Sequence, residues 1–397
     1  MITNSSRREF LTGMAAAGVY MSSSRLLKGQ EAPAGRVAIG HCPEYNRQVV
    51  EVLAKLFDQL GGLEKLVRGK TVAVKINLTG PATARLRYIP QGMTFWSNPQ
   101  VIAATVHLLG RAGARRIRIV ESAWATTEPL EEFMIEAGWD PRVMQNAAPR
   151  VEFANTNFLG SYKTYATFMV PHGGLLFTGY NMNRAYQDCD VFVSLAKLKV
   201  HSVAGVTLSM KNCFGNIPCT IYSEDTPLDE PALVPVSGRQ LMHVGNRQPP
   251  KSAPPAVNLN APKQGGYRIP RAVADIVAAR PVDLAVIDGI YTQNGTEIPD
   301  PRHVHNWLHP GLLIAGTNCV STDAVAMALM GFDPMADRGT APFETSDSML
   351  HLAEDLGVGT RDMNRIEVAG LPIQKARFDI RHPAASVVVP ESGSSPA

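Results

Sequence analysis

Apolar strands alternate with amphipathic helices along most of this chain, and that alternation constrains its fold more than any other feature. It begins with RVAIGH at Arg36–His41. In NRQVVEVLAKLFDQLGG, the residues Val49, Val52, Leu53, Leu56 and Leu60 then share one helical face before a glycine pair stops the run. TVAVKINL reads as a second strand. NPQVIAATVHLLGRAGA reads as a helix capped by Asn98, with Pro99 at its first position. RIRIVES, PLEEFMIEAG, DVFVSLAKLKV, YRIPRAVADIVAAR, DLAVIDGI, GLLIAGTN, STDAVAMALMG, SDSMLHLAEDLGVG and RIEVAG continue the pattern, and SYKTYATFMVP alternates like an exposed strand. Such a series predicts an α/β fold with a mainly parallel, helix-covered sheet. Residues 35–382 read as a single domain, interrupted by an irregular Pro-rich insertion at about 245–266. Residues 383–397 read as a disordered Ser/Pro-rich tail.

Residues 1–34 read as a separate unit. Arg7 and Arg8 precede a short apolar stretch, and Ala32-Pro-Ala34 offers a small-residue cleavage site before Gly35. This is the layout of a twin-arginine (Tat) export signal. The expected partner is the Tat machinery, and the expected location is periplasmic or secreted. The apolar stretch falls short of the roughly 20 residues needed to span a bilayer, so no stable membrane span is expected. A formal charge of only +3 gives no support for nucleic-acid binding. The cysteines at 42, 189, 213, 219 and 319 form no C-x-x-C pair, so no iron–sulfur cluster is expected. Cys213 and Cys219 are read either as a disulfide or as buried free thiols.

Open α/β sheets bind ligands beyond the carboxyl ends of their strands. There the sequence places Lys75 and Asn77, Glu121 and Ser122, Asp288, and the run Lys197, Lys199, His201. Period-two spacing would align Lys197, Lys199 and His201 on one face, where three cationic groups repel unless an anion sits among them. The segment AGVTLSMKNCFGN then predicts a turn and a short helix. Thr207 and Lys211 lie four apart on it, on one face, and backbone N–H groups at such a helix start bind anions well. No Walker motif and no G-x-G-x-x-G occurs, so nucleotides are not indicated. His303, His305 and His309 form a weaker alternative as metal ligands, in a proline-bounded loop without a neighbouring carboxylate. Capping explains Thr322 and Asp323 at a helix start.

Several stretches resemble the family called domain of unknown function 362. They are VKINL, NPQVI, GARRIRIVES, DVFVSLAKLKVHSVAGVTLSMKNCFG, DLAVIDGI and NCVSTDAVAMALMGFDP, spanning about Val72 to Pro334, with LAEDLGVGT beyond. The export signal is similar to that of the family's Tat-exported branch. The resemblance marks Asn212, His243 and Asp323 as family-motif positions beside Lys75, Asn77, Lys197, Lys199, His201, Thr207, Lys211 and Asp288. Some relatives carry ferredoxin-type cysteine clusters, which this chain lacks, and relatives are richer in glycine where His303–His309 stand.

The leading expectation is an exported enzyme acting on a small anionic molecule, a carboxylate or phosphate. Lys75, Asn77, Glu121, Lys197, Thr207, Lys211 and Asn212 would bind it. His201 would be the general acid/base, with Lys199 and Asp288 as further catalytic candidates. A crowded lysine with a lowered pKa would serve as a nucleophile or carry a covalent cofactor, whose identity stays open. The rival is a non-catalytic periplasmic protein that binds an anion or a metal ion.

Overall fold

The computed structural model describes residues 31–382. Eight strands build one sheet: β1 (Arg36–His41), β2 (Thr71–Lys75), β3 (Arg116–Glu121), β4 (Val151–Asn155), β5 (Val191–Lys197), β6 (Leu284–Gly289), β7 (Leu312–Gly316) and β8 (Glu367–Gly370). Their order across the sheet is β8-β1-β7-β6-β5-β2-β3-β4. β7 runs antiparallel to both its neighbours, β1 and β6, and every other pairing is parallel. The expected helix-covered, mainly parallel sheet is what forms.

Strand residues alternate between two apolar layers. Val191, Val193 and Leu195 of β5 enter one, while Phe192 and Ala196 enter the other. Helices α1 (Gln48–Gln59), α2 (Pro99–Arg111) and α3 (Leu130–Glu136) cover the first layer. Helices α4 (Leu208–Asn212), α5 (Gly265–Ala279), α6 (Cys319–Leu329) and α7 (Met349–Asp355) cover the second. Pro270 sits inside α5 and cannot donate to the Gly266 carbonyl one turn back. Asp347 N, at 2.9 Å, and Arg338 Nη2, at 3.0 Å, donate to that oxygen instead.

The Pro-rich stretch packs along a β-hairpin formed by residues 166–169 and 179–182. Thr178 N donates to Pro255 O at 3.1 Å, and Val257 N to Leu176 O at 3.0 Å. Arg7, Arg8 and the 383–397 tail lie outside the described residues. Residues 31–34, expected to leave with the signal, dock on the domain: Thr360 N donates to Pro33 O at 3.0 Å and Arg365 Nη2 to Ala32 O at 2.7 Å. Among the described residues no helix is long and apolar enough to cross a membrane.

One topological feature positions the site. From β2 the chain steps outward to β3 and β4, then returns to place β5 on the other side of β2, with β6 beyond it. The carboxyl ends of β2 and β5 therefore flank the point where strand order reverses, and such a point opens a crevice in parallel sheets.

Candidate functional site

A cavity of about 300 Å³ opens at that crevice. The end of β2 supplies Lys75 and Asn77, the end of β3 supplies Glu121 and Ser122, and the segment after β5 supplies Lys199, His201, Thr207, Lys211 and Asn212. Lys75 is fully buried. Its Nζ lies 2.6 Å from Glu121 Oε1 and donates to Ile76 O at 2.7 Å and Asn212 Oδ1 at 3.2 Å. Burial lowers its pKa, and Glu121 opposes the shift. Glu121 also accepts from Leu78 N at 2.7 Å and Ser122 N at 2.8 Å. Asn212 ties the strands together: its Nδ2 donates to Lys75 O and Ser194 Oγ, and its Oδ1 accepts from Asn77 Nδ2 at 3.1 Å. Its Oδ1 thus faces Lys75 and Asn77, so Asn77 must turn its nitrogen inward. These groups form a rigid floor. The floor needs Gly215, since a Cβ there would lie 2.8 Å from Lys75 Nζ.

The glycine-flanked segment is built for rigidity rather than for holding an anion on its backbone. Val200–His201 pairs with Gly205–Val206 in a two-stranded ribbon, and Gly205 and Leu208 both adopt positive φ. The N–H groups that open α4 are not free. Asp323, reaching across from α6, accepts from Ser209 N at 2.8 Å, Met210 N at 2.8 Å and Ser209 Oγ at 2.5 Å. Burial raises the Asp323 pKa to about 7, against those donors. The expectation that the start of α4 would bind an anion is therefore corrected: a protein carboxylate already fills that position. Asp323 caps α4 rather than its own helix, whose cap is Asn318.

The cations above the floor differ in their partners. Lys199 Nζ donates to two carbonyls, Phe95 O at 2.7 Å and Glu297 O at 3.0 Å, and burial drives its pKa well down. Arg239 donates through Nε to Ile217 O at 2.5 Å, and through Nη2 to Ser122 Oγ and to Asn157 Oδ1 at 3.2 Å; Nη1 makes none of these bonds. Among the described residues the Lys211 amine has no hydrogen bond or ion pair. Its Nζ sits 4.2 Å from the centroid of the Phe214 ring. Burial lowers its pKa to about 7; Glu297 opposes this, while Arg239 and Lys75 add to it.

The two histidines hold opposite tautomers. Val203 N and Ala204 N, both at 3.1 Å, donate to His201 Nδ1, so that atom carries the lone pair and the ring proton is on Nε2. Burial, with Lys211 adding, lowers the His201 pKa to about 3. His243 Nδ1 lies 2.8 Å from Arg239 O, which only accepts, so the proton is on Nδ1 and Nε2 keeps its lone pair. Glu297 Oε2 accepts from Ser202 N and Oγ at 3.0 and 2.8 Å and stays ionised.

Residues 72–328 match the family described as Domain of unknown function (DUF362), more than half of the chain. The chain belongs to that family. Every residue lining the cavity falls inside the matched span. The Thylakoid-associated protein sll1697 of Synechocystis sp. is 25% identical over 286 residues, covering 71% of this chain and 70% of its own. Two solved structures also align. One is a protein from Thermotoga maritima, at 14% identity and a TM-score of 0.34, covering 66% of this chain. The other is the lactate racemase apoprotein from Thermoanaerobacterium thermosaccharolyticum, at 15% identity and a TM-score of 0.31, covering 70% of this chain. This chain spans 54% of each of those two. At such scores they carry no argument about the site.

In this DUF362 chain the cavity gathers Lys75, Asn77, Glu121, Lys199, His201, Thr207, Lys211 and Asn212. It does not gather Lys197 or Asp288. Lys197 is the last residue of β5 and points into the other layer, where its Nζ lies 3.0 Å from Asp288 Oδ2 and bonds Tyr45 Oη at 2.8 Å and Gly92 O at 3.0 Å. Asp288 also accepts from Asn98 N and Tyr45 Oη, both at 2.9 Å, so its oxygens are spent on structure. The histidine loop does not converge either. His305 bonds Asn294 O and Asp300 N, His309 stacks on Tyr291, and His303 lies 3.4 Å from Asp300. Among the described residues no group of three or more His, Cys, Asp or Glu could hold a metal ion. All five cysteines are free and buried, so Cys213 and Cys219 are not paired. Arg239 and Glu297 were not expected at the site. Arg239 stands four residues before His243, a helical spacing that would have linked the two.

Proposed function

We propose that this cavity binds a small carboxylate or phosphate and that the protein is an enzyme acting on it. One observation carries the reading: among the described residues the Lys211 amine lines the cavity without a hydrogen bond or ion pair, Glu297 acting on it only through charge at longer range. Arg239 beside it spends its bonds on neutral oxygens only. A bound anion would satisfy both. The roles follow from the tautomers: Nε2 of His243 accepts a proton from the ligand, and Nε2–H of His201 donates a hydrogen bond to it. His201 is thereby a neutral donor and not the acid/base first expected. The test is a thermal-shift screen of carboxylates and phosphates on wild type and Lys211→Met. A ligand at 100 times its Kd stabilises by about 2.7 kcal/mol. That gain should vanish in the variant; an anion that stabilises both proteins equally binds elsewhere and removes the reading.

The proposal also includes Tat export, supported by Arg7-Arg8 and the Ala32-Pro-Ala34 sequence. Replacing both arginines by lysine should leave the protein in the cytoplasm of its source cell. Undiminished appearance outside the cytoplasm would overturn it.

A further inference from the structure

The cavity holds three lysines, and their partners separate them. Lys75 is locked between Glu121, Ile76 O and Asn212. Lys199 is held by the carbonyls of Phe95 and Glu297. Each of these amines would have to break existing bonds to react. Among the described residues the Lys211 amine has no hydrogen bond or ion pair to break, and its Nζ lies against the Phe214 ring in a half-buried position that a ligand in the cavity can reach. A lysine kept beside an aromatic face and further positive charge, with Glu297 acting on it but not in ion-pair contact, is placed for nucleophilic attack.

We infer that Lys211 is a nucleophile that forms a Schiff base with a carbonyl-bearing anion, a 2-oxo acid or an aldehyde acid. The inference rests on the anion reading above and adds the carbonyl to it. The neutral Lys211 amine adds to the carbonyl carbon, so a C–N bond forms and the carbonyl oxygen becomes a hydroxyl. Loss of that hydroxyl as water, with the amine nitrogen giving up its protons, leaves the C=N bond. No oxidant or reductant is consumed. His243 Nε2 is the base that takes the proton from nitrogen and passes it to the departing oxygen, which the Nε2–H of His201 hydrogen-bonds as it leaves as water. The Arg239 Nη1 group pairs with the carboxylate. Burial supports the chemistry by keeping much of the Lys211 amine unprotonated at neutral pH, whereas an ordinary lysine, near 10.4, is almost wholly protonated there.

The experiment treats the full chain briefly at pH 7 with glyoxylate and sodium cyanoborohydride, which reduces an imine to a stable secondary amine. Peptide mass mapping then compares Lys211 with Lys65, an exposed lysine. Acetaldehyde, which has the carbonyl but no anion, is run in parallel. The expected result is labelling of Lys211 at least about tenfold faster than Lys65 with glyoxylate, a ratio lower with acetaldehyde, and no such fast site in Lys211→Arg. Equal labelling of Lys211 and Lys65 with both reagents overturns the Schiff-base inference, and the thermal-shift screen with carbonyl-free propionate then judges the anion reading separately. A high ratio that is the same for glyoxylate and acetaldehyde keeps the nucleophile and removes the anion from the proposal.

Discussion

His201 and His243 line the same cavity with opposite ring nitrogens protonated. Nδ1 of His201 accepts two backbone N–H groups, while Nδ1 of His243 donates to a backbone carbonyl. Each tautomer is imposed by main-chain atoms, whose donor and acceptor roles cannot reverse. The pair therefore offers a ligand one donor and one acceptor without any change of protonation.

The first prediction follows directly. In ¹⁵N-resolved NMR of the histidine rings, His201 should show the Nε2–H form and His243 the Nδ1–H form. His201, with a pKa near 3, should not titrate between pH 5 and 8. A His201 ring that protonates within that range would restore the acid/base role that its motif first suggested.

The second prediction concerns pH and stability. Lys211 has a folded-state pKa of about 7, below its ordinary value of about 10.4. Between those values the unfolded chain holds a proton that the folded chain has released. Stability contributed by this group therefore rises with pH across the window and is lowest below pH 7. Urea midpoints at pH 7 and pH 9 should show a larger upward change in wild type than in Lys211→Met. Equal changes would mean that Lys211 titrates normally. An anion that binds protonated Lys211 should bind more weakly as pH rises through the same window.

Much of the fold was legible because strands and helices carry their periods locally. The face of α1 formed by Val49, Leu53 and Leu56 is buried as its spacing required. The antiparallel course of β7 was not legible, since a buried apolar run reads the same in either direction. At the site, the strand-end rule brought Lys75, Asn77 and Glu121 to the cavity. It failed for Lys197 because period two holds only while a strand continues. β5 stops at Lys197, whose register partner on β6 is Asp288. The chain then enters the ribbon at Val200, so Lys199 and His201 leave the face on which Lys197 remains. Glu297 stands in an irregular segment, where no period points a side chain anywhere, and Arg239 only caps the single helical turn Gln240–His243, too short for its spacing to show as a period.

Lys197 supplies the third prediction. It and Asp288 are fully buried, 3.0 Å apart, and neither lines the cavity. Replacing Lys197 with Met strands the Asp288 carboxylate in an apolar layer, a loss of roughly 3–5 kcal/mol. Urea unfolding should show that cost. Variant protein that remains folded should keep the wild-type Kd for any anion that depends on Lys211. A large loss of affinity without loss of stability would return Lys197 to the binding site.

The last prediction tests the cavity floor through Gly215. Its φ needs no glycine, so alanine there acts by volume alone. The new Cβ would lie 2.8 Å from both Cε and Nζ of Lys75 and 3.3 Å from Glu121 Oε1. A lysine end would usually swing aside, but this one is held by Glu121, Ile76 O and Asn212 and is almost fully buried. Moving it must loosen the 2.6 Å Lys75–Glu121 pair and, through Asn212, the seating of Asn77. Gly215→Ala should therefore cost about 1–3 kcal/mol and weaken anion binding, although no ligand-holding group has been removed. Gly238 also lines the cavity, has open space where a Cβ would go, and needs no special φ. Gly238→Ala should stay within about ±0.5 kcal/mol of wild type in urea unfolding. If both variants behave alike, the close packing of Gly215 against Lys75 is not what holds the floor in place.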